Sequence, residues 1–383
     1  MSVTDAVGFR AAGVAAGLKA SGRPDVALVV NDGPEYVAAG VFTGNRVVAA
    51  PVVWSREVVK TGALRAVVLN SGGANACTGP PGFADTHHTA EHTAQVLGLA
   101  PIDVAVCSTG LIGIRLDMPA LLTGVDAAAA ALSTDGGADA AVAIMTTDSH
   151  AKEAVVRGDG VTVGGMVKGA GMIAPGMATM LAVLSTDAVV SATAAARVLS
   201  SAVARTFNRI DSDGCMSTND TVILMASGGS GIALAEDQLG AMVQQVCQQL
   251  ARDIISDAEG ASKDVRIEVI GAATEDDAVE VGRAVARSNL FKCAMHGEDP
   301  NWGRIVSAVG TTAAAFSSAE LGVTINGVEV CRDGAAHADP ATADLSARQI
   351  DVQIDLRAGD QTAVIWTNDL TAAYVHENSA YAT

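Results

Sequence analysis

VTVGGMVKGAGMIAPGMATMLAVLSTDA, residues 161–188, has the densest Gly, Met and Ala usage in the chain and no charged side chain between Lys168 and Asp187. Its opening run is strand-like, Pro175-Gly176 punctuates the middle, and Thr179–Leu184 is an uncharged β-type stretch. A loop therefore feeds directly into a buried strand, with Thr179 at the junction. A threonine hydroxyl is too weak a nucleophile at neutral pH to attack an amide unaided, and nothing nearby resembles a Ser-His-Asp set. If the Ala178–Thr179 bond breaks, the α-amine of Thr179 comes within reach of its own hydroxyl, with an ordinary pKa of about 7.7–8.0 that suits a general base. One residue then provides both nucleophile and base. The same hydroxyl can make the cut, attacking the Ala178 carbonyl to give an ester that water opens. Small, turn-forming flanks (Pro175, Gly176, Ala178) let the backbone hold the strained geometry this needs. Taken alone, such a loop is more often only a turn.

Upstream, short β-branched runs alternate with Gly, Asn and Pro turns, so 27–32, 38–43, 50–55, 65–70 and 103–108 are expected strands. Helical spacing marks 83–98, which ends in Gly, and 119–132. Downstream, helices are expected at about 191–206 and 236–256, then a strand over 265–272 and a helix at about 276–288. Asp276 and Asp277 open that last helix with charge that suits its N-terminus. Two hairpins are expected to close the chain. One turns at Asn326-Gly327, which accepts positive φ at both turn positions, and the other around Ala358-Gly359-Asp360. There is no repeat and no low-complexity linker, and the mixed order implies an α/β (α+β) fold in which helices cover extensive sheet.

At 383 residues the chain suffices for one large unit or two subdomains. With 49% hydrophobic and 17% charged residues it is globular, not disordered. Its 24 basic against 42 acidic side chains give a net charge of −18, which repels phosphate backbones and anionic membranes, so neither nucleic acid nor membrane is an expected partner. The opening MSVTDAVGFRAAG fits neither a secretory nor a transit leader, which makes a cytoplasmic location the expectation. Six cysteines without a C-x-x-C pair read as reduced, mostly buried thiols. Cys107 and Cys215, beside Gly-rich loops, are read as core thiols before nucleophiles.

Three further motifs invite functional readings. His88, Glu91 and His92 fit an inverted H-x-x-E-H zinc pattern, but no third ligand with a supporting shell is evident, so they read as the outer face of an amphipathic helix and no metal is expected. Gly169, Gly171 and Ala174 fit G-x-G-x-x-A, yet Pro175-Gly176 prevents the helix that a dinucleotide site requires. Asp299-Pro-Asn301-Trp302-Gly303-Arg304 is either a structural turn in which Arg304 pairs with Asp299, or a loop whose Arg recognises a carboxylate or another subunit.

The segment KGAGMIAPGMATML (168–181) resembles the autocleavage segment of the ornithine acetyltransferases, also called bifunctional glutamate N-acetyltransferase/amino-acid acetyltransferase, of arginine biosynthesis. Other signatures fall in family order: GFRAAGVAAGLK (8–19), NACTG (75–79), CSTGLIG (107–113), MTTD (145–148), STNDTV (217–222), DPNWGRI (299–305) and NSAYAT (378–383). The resemblance spans essentially the whole chain. It implies a layered α-β-β-α sandwich like that of the self-processing N-terminal-nucleophile, DmpA-like enzymes. It also implies an α chain 1–178, a β chain 179–383 that begins with the nucleophile Thr179, and a dimer of αβ units, a heterotetramer. Thr109 and Gly110 match the family's oxyanion-hole pair. Thr146, Lys168, Thr179, Glu259, Asn378 and Thr383 match its substrate-contacting positions, with Lys168 suited to a substrate carboxylate and Glu259 to the cationic end of ornithine.

The implied reaction is ping-pong: Thr179 takes the acetyl group from N2-acetyl-L-ornithine and L-glutamate accepts it, without metal or organic cofactor. Monofunctional members and bifunctional ones that also take acetyl-CoA look alike at this level. Gly73, where Asn is common, and Cys215-Met216, where polar residues are common, depart from the family pattern away from the named positions. Two readings compete: a self-processing amidase or aminopeptidase that gives the acyl group to water, and a non-catalytic small-molecule binder that stays uncleaved.

Overall fold

The apolar runs become strands so deeply placed that β2 (Val26–Asn31), β4 (Ala66–Asn70), β5 (Val104–Ser108), β8 (Leu181–Thr186) and β9 (Thr221–Ala226) are buried at every position. A strand buried on both faces needs a layer above and below it. The computed structural model describes residues 2–174 and 180–380, which form two compact units.

The first unit comprises residues 2–208 and 216–254. Its remaining strands are β1 (Phe9–Val14), β3 (Val37–Phe42), β6 (Lys152–Gly158) and β7 (Val161–Lys168). Its helices are α1 (Ala50–Val59), α2 (Gly79–Leu97), α3 (Met118–Ala131), α4 (Gly137–Ala143), α5 (Ala192–Arg205) and α6 (Glu236–Ser256, of which residues up to 254 belong here). One sheet runs β1-β2-β4-β5 and the other β3-β9-β8-β7-β6. Side chains alternate across the first sheet as strand geometry requires. Val26, Leu28, Val30, Val68 and Val106 pack on Ala90 and Ala94 of α2 and on Leu121 and Val125 of α3. Ala27, Val29, Val67, Leu69 and Ala105 instead share a core with Met166, Leu181, Val183, Ile223 and Met225 of the second sheet. That sheet's far face is covered by α5 against β3 and by Val246 and Leu250 of α6 against Gly165. The layers are therefore helix, sheet, sheet, helix, as the family resemblance implied.

The second unit comprises residues 209–215 and 255–380. Its strands are β10 (Asp264–Ala272), β11 (Gly322–Ile325), β12 (Val328–Arg332), β13 (Ala335–Ala336), β14 (Gln349–Asp355) and β15 (Gln361–Asn368), ordered β13-β12-β11-β14-β10-β15. Helices α7 (Glu275–Ala286), α8 (Asn289–His296) and α9 (Trp302–Val309) bury Val281, Val285, Phe291, Met295, Ile305 and Val309 against it, and α10 (Ala372–Ala380) ends the described chain. The acidic start of α7 is extended by Thr274, whose side chain accepts the Asp277 amide as N-cap.

Two expectations are corrected. Residues 50–55 are the start of α1, not a strand: Pro51 sits in its first turn, and Val52, Ser55 and Val58 face inward at helical spacing. The hairpin expected around 358–360 does not form, because β10 inserts between β14, which it pairs in parallel, and β15, which it pairs antiparallel. The Asn326-Gly327 hairpin does form, with φ of 43° and 82° at the two residues. No helix among the described residues is long and apolar enough to cross a membrane.

Candidate active site

Register brings the chemistry-bearing residues of the first unit to one end of the second sheet. Lys168, the last residue of β7, pairs with Leu181 at the head of β8, and Leu181 pairs with Thr221 at the head of β9. Residues 169–180 thus connect two neighbouring strands, and Met180 lies beside Asp220. The Met180 amide donates to Asp220 Oδ1 at 3.1 Å, and the Thr221 amide to the Met180 carbonyl at 3.1 Å. Ala178, Thr179 and Thr383, named above as cleavage site, nucleophile and substrate contact, lie outside the described residues.

The first sheet contributes the turn after β5. The Thr109 amide donates to the Asn70 carbonyl at 3.0 Å, which holds the turn onto β4. Gly110 adopts φ of 130°, and a Cβ there would lie 2.9 Å from the Gly73 backbone, so two glycines back onto each other at this turn. At Gly73 a side chain would meet Leu116 Cδ2 at 3.2 Å, which gives that departure from the family pattern a local packing consequence. Asn219 ties the sheets together, its Nδ2 donating to the carbonyls of Ala74 (2.6 Å) and Ser108 (2.8 Å). The Thr109 hydroxyl is buried and accepts from the buried Lys168 ammonium at 3.5 Å. Among the described residues the Gly110 amide makes no hydrogen bond.

Around these atoms charge is unevenly distributed. Asp148, 3% exposed, accepts from Lys152 Nζ and from the Gly169 amide through Oδ1, both at 2.7 Å, and from the Thr146 amide through Oδ2 at 2.9 Å. Burial alone would raise its pKa, but the ammonium groups of Lys168 and Lys152, with those hydrogen bonds, hold it at about 2. Lys19 donates to the Pro24 and Met145 carbonyls at 2.9 and 2.7 Å and so fixes the loop that carries Thr146. Desolvation lowers its pKa to about 8, with Asp25 opposing. Three ammonium groups thus gather around Asp148, with Asp25 also acting on Lys19 and Asp253 on Lys152.

Thr109, Gly110, Thr146 and Lys168 all lie in the first unit, where Lys168 contacts Thr109 and Asp148 holds the Thr146 amide. Asp148, Lys152, Lys19, Asn219 and Asp220 were not singled out, although Lys19 ends GFRAAGVAAGLK, Asp148 ends MTTD, and Asn219 and Asp220 sit inside STNDTV. Their signal was polarity inside otherwise apolar stretches, which burial turns into obligatory pairing.

Glu259 and Asn378 belong to the second unit. Glu259 lines a cavity of about 220 Å³ with Asp213, Arg287, Lys292, Asp369 and Tyr374. Lys292 donates to the carbonyls of Ser212 and Asn368, both at 2.5 Å, and to Thr367 Oγ1 at 3.2 Å. Arg287 pairs with Asp211 at 2.7 Å, and Asp369 accepts from the Ser262 and Lys263 amides at 2.9 Å each. Glu259 makes no hydrogen bond or ion pair among the described residues. Desolvation, with Asp213 and Glu259 nearby, pushes the Tyr374 hydroxyl up to about 12. Asn378 is exposed and donates to the Tyr374 carbonyl at 3.1 Å.

The discounted motifs have other employment. His92 pairs with Asp126 at 2.7 Å on the helix surface, His87 approaches Glu91 at 3.6 Å, and no group of three His, Cys, Asp or Glu among the described residues could hold a metal. No helix starts within 169–174, where the Gly169 amide serves Asp148. Arg304 donates to the Leu290 carbonyl at 2.5 Å and not to Asp299, which accepts from Asn301. Cys107 is buried and its thiol is pushed up to about 12 by desolvation, which suits a core thiol. The expectation of mostly buried thiols is corrected: Cys77, Cys215 and Cys293 are exposed, because each lies at a turn or on an outer helix face.

The profile of the ArgJ family matches residues 10–383. The chain belongs to the ArgJ family. The arginine biosynthesis bifunctional protein ArgJ of Streptomyces coelicolor is 61% identical over 382 residues, covering 100% of each chain. The ArgJ protein of Thermobifida fusca is 58% identical over 383 residues, again covering 100% of each. Among solved structures, the ornithine acetyltransferase of Mycobacterium tuberculosis complexed with ornithine is 58% identical over 47% of this chain and 96% of that one, with a TM-score of 0.45. The signatures read from the sequence thus hold along the chain, which is an acetyltransferase of arginine biosynthesis.

Proposed function

We propose that this ArgJ enzyme cuts itself between Ala178 and Thr179 and then transfers the acetyl group of N2-acetyl-L-ornithine to L-glutamate through an acetyl-Thr179 ester. The observation that carries the reading is the buried Thr109 hydroxyl, in contact with Lys168 and followed by an unengaged Gly110 amide. Attack on an acetamide carbonyl converts its oxygen into an oxyanion, which needs donors already in place. In this reading the Thr179 α-amine takes the hydroxyl proton as Oγ bonds to the carbonyl carbon, and Thr109 and Gly110 hold the oxyanion. When the C–N bond breaks, ornithine leaves with that proton. The glutamate amine then attacks the ester, and its surplus proton returns to Oγ through the α-amine.

Binding follows the charged side chains. Lys168, Lys152 and Lys19 around Asp148 suit the α-carboxylate that acetylornithine and glutamate share, with Thr146 beside it. The unpaired Glu259, in a cavity whose cations are engaged, suits the side-chain ammonium of ornithine, with Asn378 and Thr383 as further contacts. The α chain is 1–178, the β chain 179–383, and the assembly a dimer of αβ units. The relatives' description as bifunctional supports acetyl-CoA as a second donor.

The test supplies purified enzyme with acetylornithine, with and without glutamate, and measures N-acetylglutamate and acetate. Transfer faster than acetate release is expected. Acetate as the main product in the presence of glutamate would replace the transferase by an amidase.

A further inference from the structure

Asp220 has no role in the reading above, yet its placement is unusual for a carboxyl group. Its residue is 0% exposed, at the head of β9. Oδ1 accepts the Met180 amide at 3.1 Å, while Oδ2 is buried and makes no hydrogen bond of good geometry among the described residues, with Ser217 its polar neighbour. Its backbone carbonyl is taken by the Thr43 amide at 2.9 Å, and Lys168 acts on the carboxyl through its charge. A carboxylate left this way would carry a poorly compensated buried charge, which favours the neutral acid. Desolvation raises its pKa well above the ordinary value, against the opposing influence of the Met180 amide, Lys168 and Ser217.

If Asp220 only capped the backbone at Met180, one acceptor oxygen would suffice. The side-chain oxygen of an asparagine would accept that amide equally well. Retaining an acid with a poorly satisfied oxygen is costly, and a backbone cap gives no reason for it. The reason lies one peptide bond upstream of Met180. Residue 179 is joined by its own peptide bond to the Met180 nitrogen that Asp220 grips.

We propose that Asp220 is the proton-transferring acid of self-cleavage, delivering its proton to the Thr179 nitrogen as the Ala178–Thr179 bond breaks. The inference rests on the proposed cut at that bond. The step balances: Oγ of Thr179 bonds to the Ala178 carbonyl carbon, the C–N bond breaks, the nitrogen receives the Asp220 proton, and Asp220 receives the hydroxyl proton. Asp220 ends neutral, and one proton has moved from Oγ to nitrogen. Before the cut no free α-amine exists at Thr179, so this step needs a base and acid from elsewhere in the chain.

The test follows cell-free synthesis by denaturing mass spectrometry, which resolves the full-length chain from fragments with time. Wild-type chain that never yields a fragment beginning at Thr179 would defeat the proposed cut itself, whatever Asp220 does. Given that fragment, Asp220→Asn should slow its appearance by about 10²-fold or more, as loss of general acid–base catalysis does. A folded Asp220→Asn chain cleaved at the wild-type rate would overturn the assignment and leave a backbone cap. If that variant does not fold, the wild type decides by its pH dependence. Cleavage should slow as rising pH ionises Asp220, whose charged neighbour is Lys168, and a rate that does not fall with rising pH while the chain stays folded would overturn it.

Discussion

In the first unit Lys19, Lys152 and Lys168 surround a single carboxylate, Asp148; in the second, Lys292 and Arg287 are engaged by oxygens of their own unit while Glu259 keeps its carboxylate unpaired. Lys292 is as informative as Lys168 here. It is buried, its pKa is lowered to about 8 by desolvation, and it lines a cavity, yet three neutral acceptors take its protons. Burial of an ammonium group therefore does not make a binding site. What distinguishes the two regions is the side chains gathered in them: ammonium groups concentrated around Asp148 in one, and in the other a Glu259 carboxylate with no partner among the described residues.

The largest expected effect tests the hydroxyl that Lys168 contacts. Thr109→Ala should lower kcat by about 10²–10³-fold, as removal of one oxyanion donor does, and an unchanged kcat in steady-state assays would place the hole elsewhere. The next effect separates the two regions. Lys168→Met should raise KM for acetylornithine and for glutamate alike, because both carry the α-carboxylate, whereas Glu259→Gln should raise KM for acetylornithine alone. Loss of a charged hydrogen bond predicts about 10-fold or more in each case. Equal effects of Glu259→Gln on both substrates would remove it from side-chain recognition.

The smallest effect concerns Asp148. Its folded pKa of about 2 lies below the ordinary 3.8, so the folded state binds fewer protons than the unfolded one. The resulting stability is complete above the ordinary value and is lost as pH falls toward about 2. It amounts to about 2 kcal/mol. Acid unfolding of Asp148→Asn should lack this portion of the pH dependence; an identical profile would show that the Lys152 and Lys168 contacts do not discriminate between the charged and neutral acid.

Much of this was legible in the sequence where period and chemistry agreed. β2, β4, β5 and β10, helices α2, α3, α5, α6 and α7, and the Asn326-Gly327 turn fall within a few residues of expectation, since their patterns are long or their turn chemistry specific. APVVWS misled because a short apolar run fits either period, and only the partners of α1 decide it. The β14–β15 pairing failed for a different reason: adjacency in sequence says nothing about a strand inserted from 264–272. Signatures singled out Thr109, Gly110, Thr146 and Lys168, but the contacts of Asp148 and Asp220 come from burial and register, which bring Asp148 to Gly169 and Asp220 to Met180.

Denaturing mass spectrometry of the purified protein tests the proposed chemistry most directly. The wild type should give two species that divide between Ala178 and Thr179, and Thr179→Ala should give one intact 383-residue chain without transferase activity. A wild type that remains whole, or a Thr179→Ala chain cut at the same bond, would contradict it.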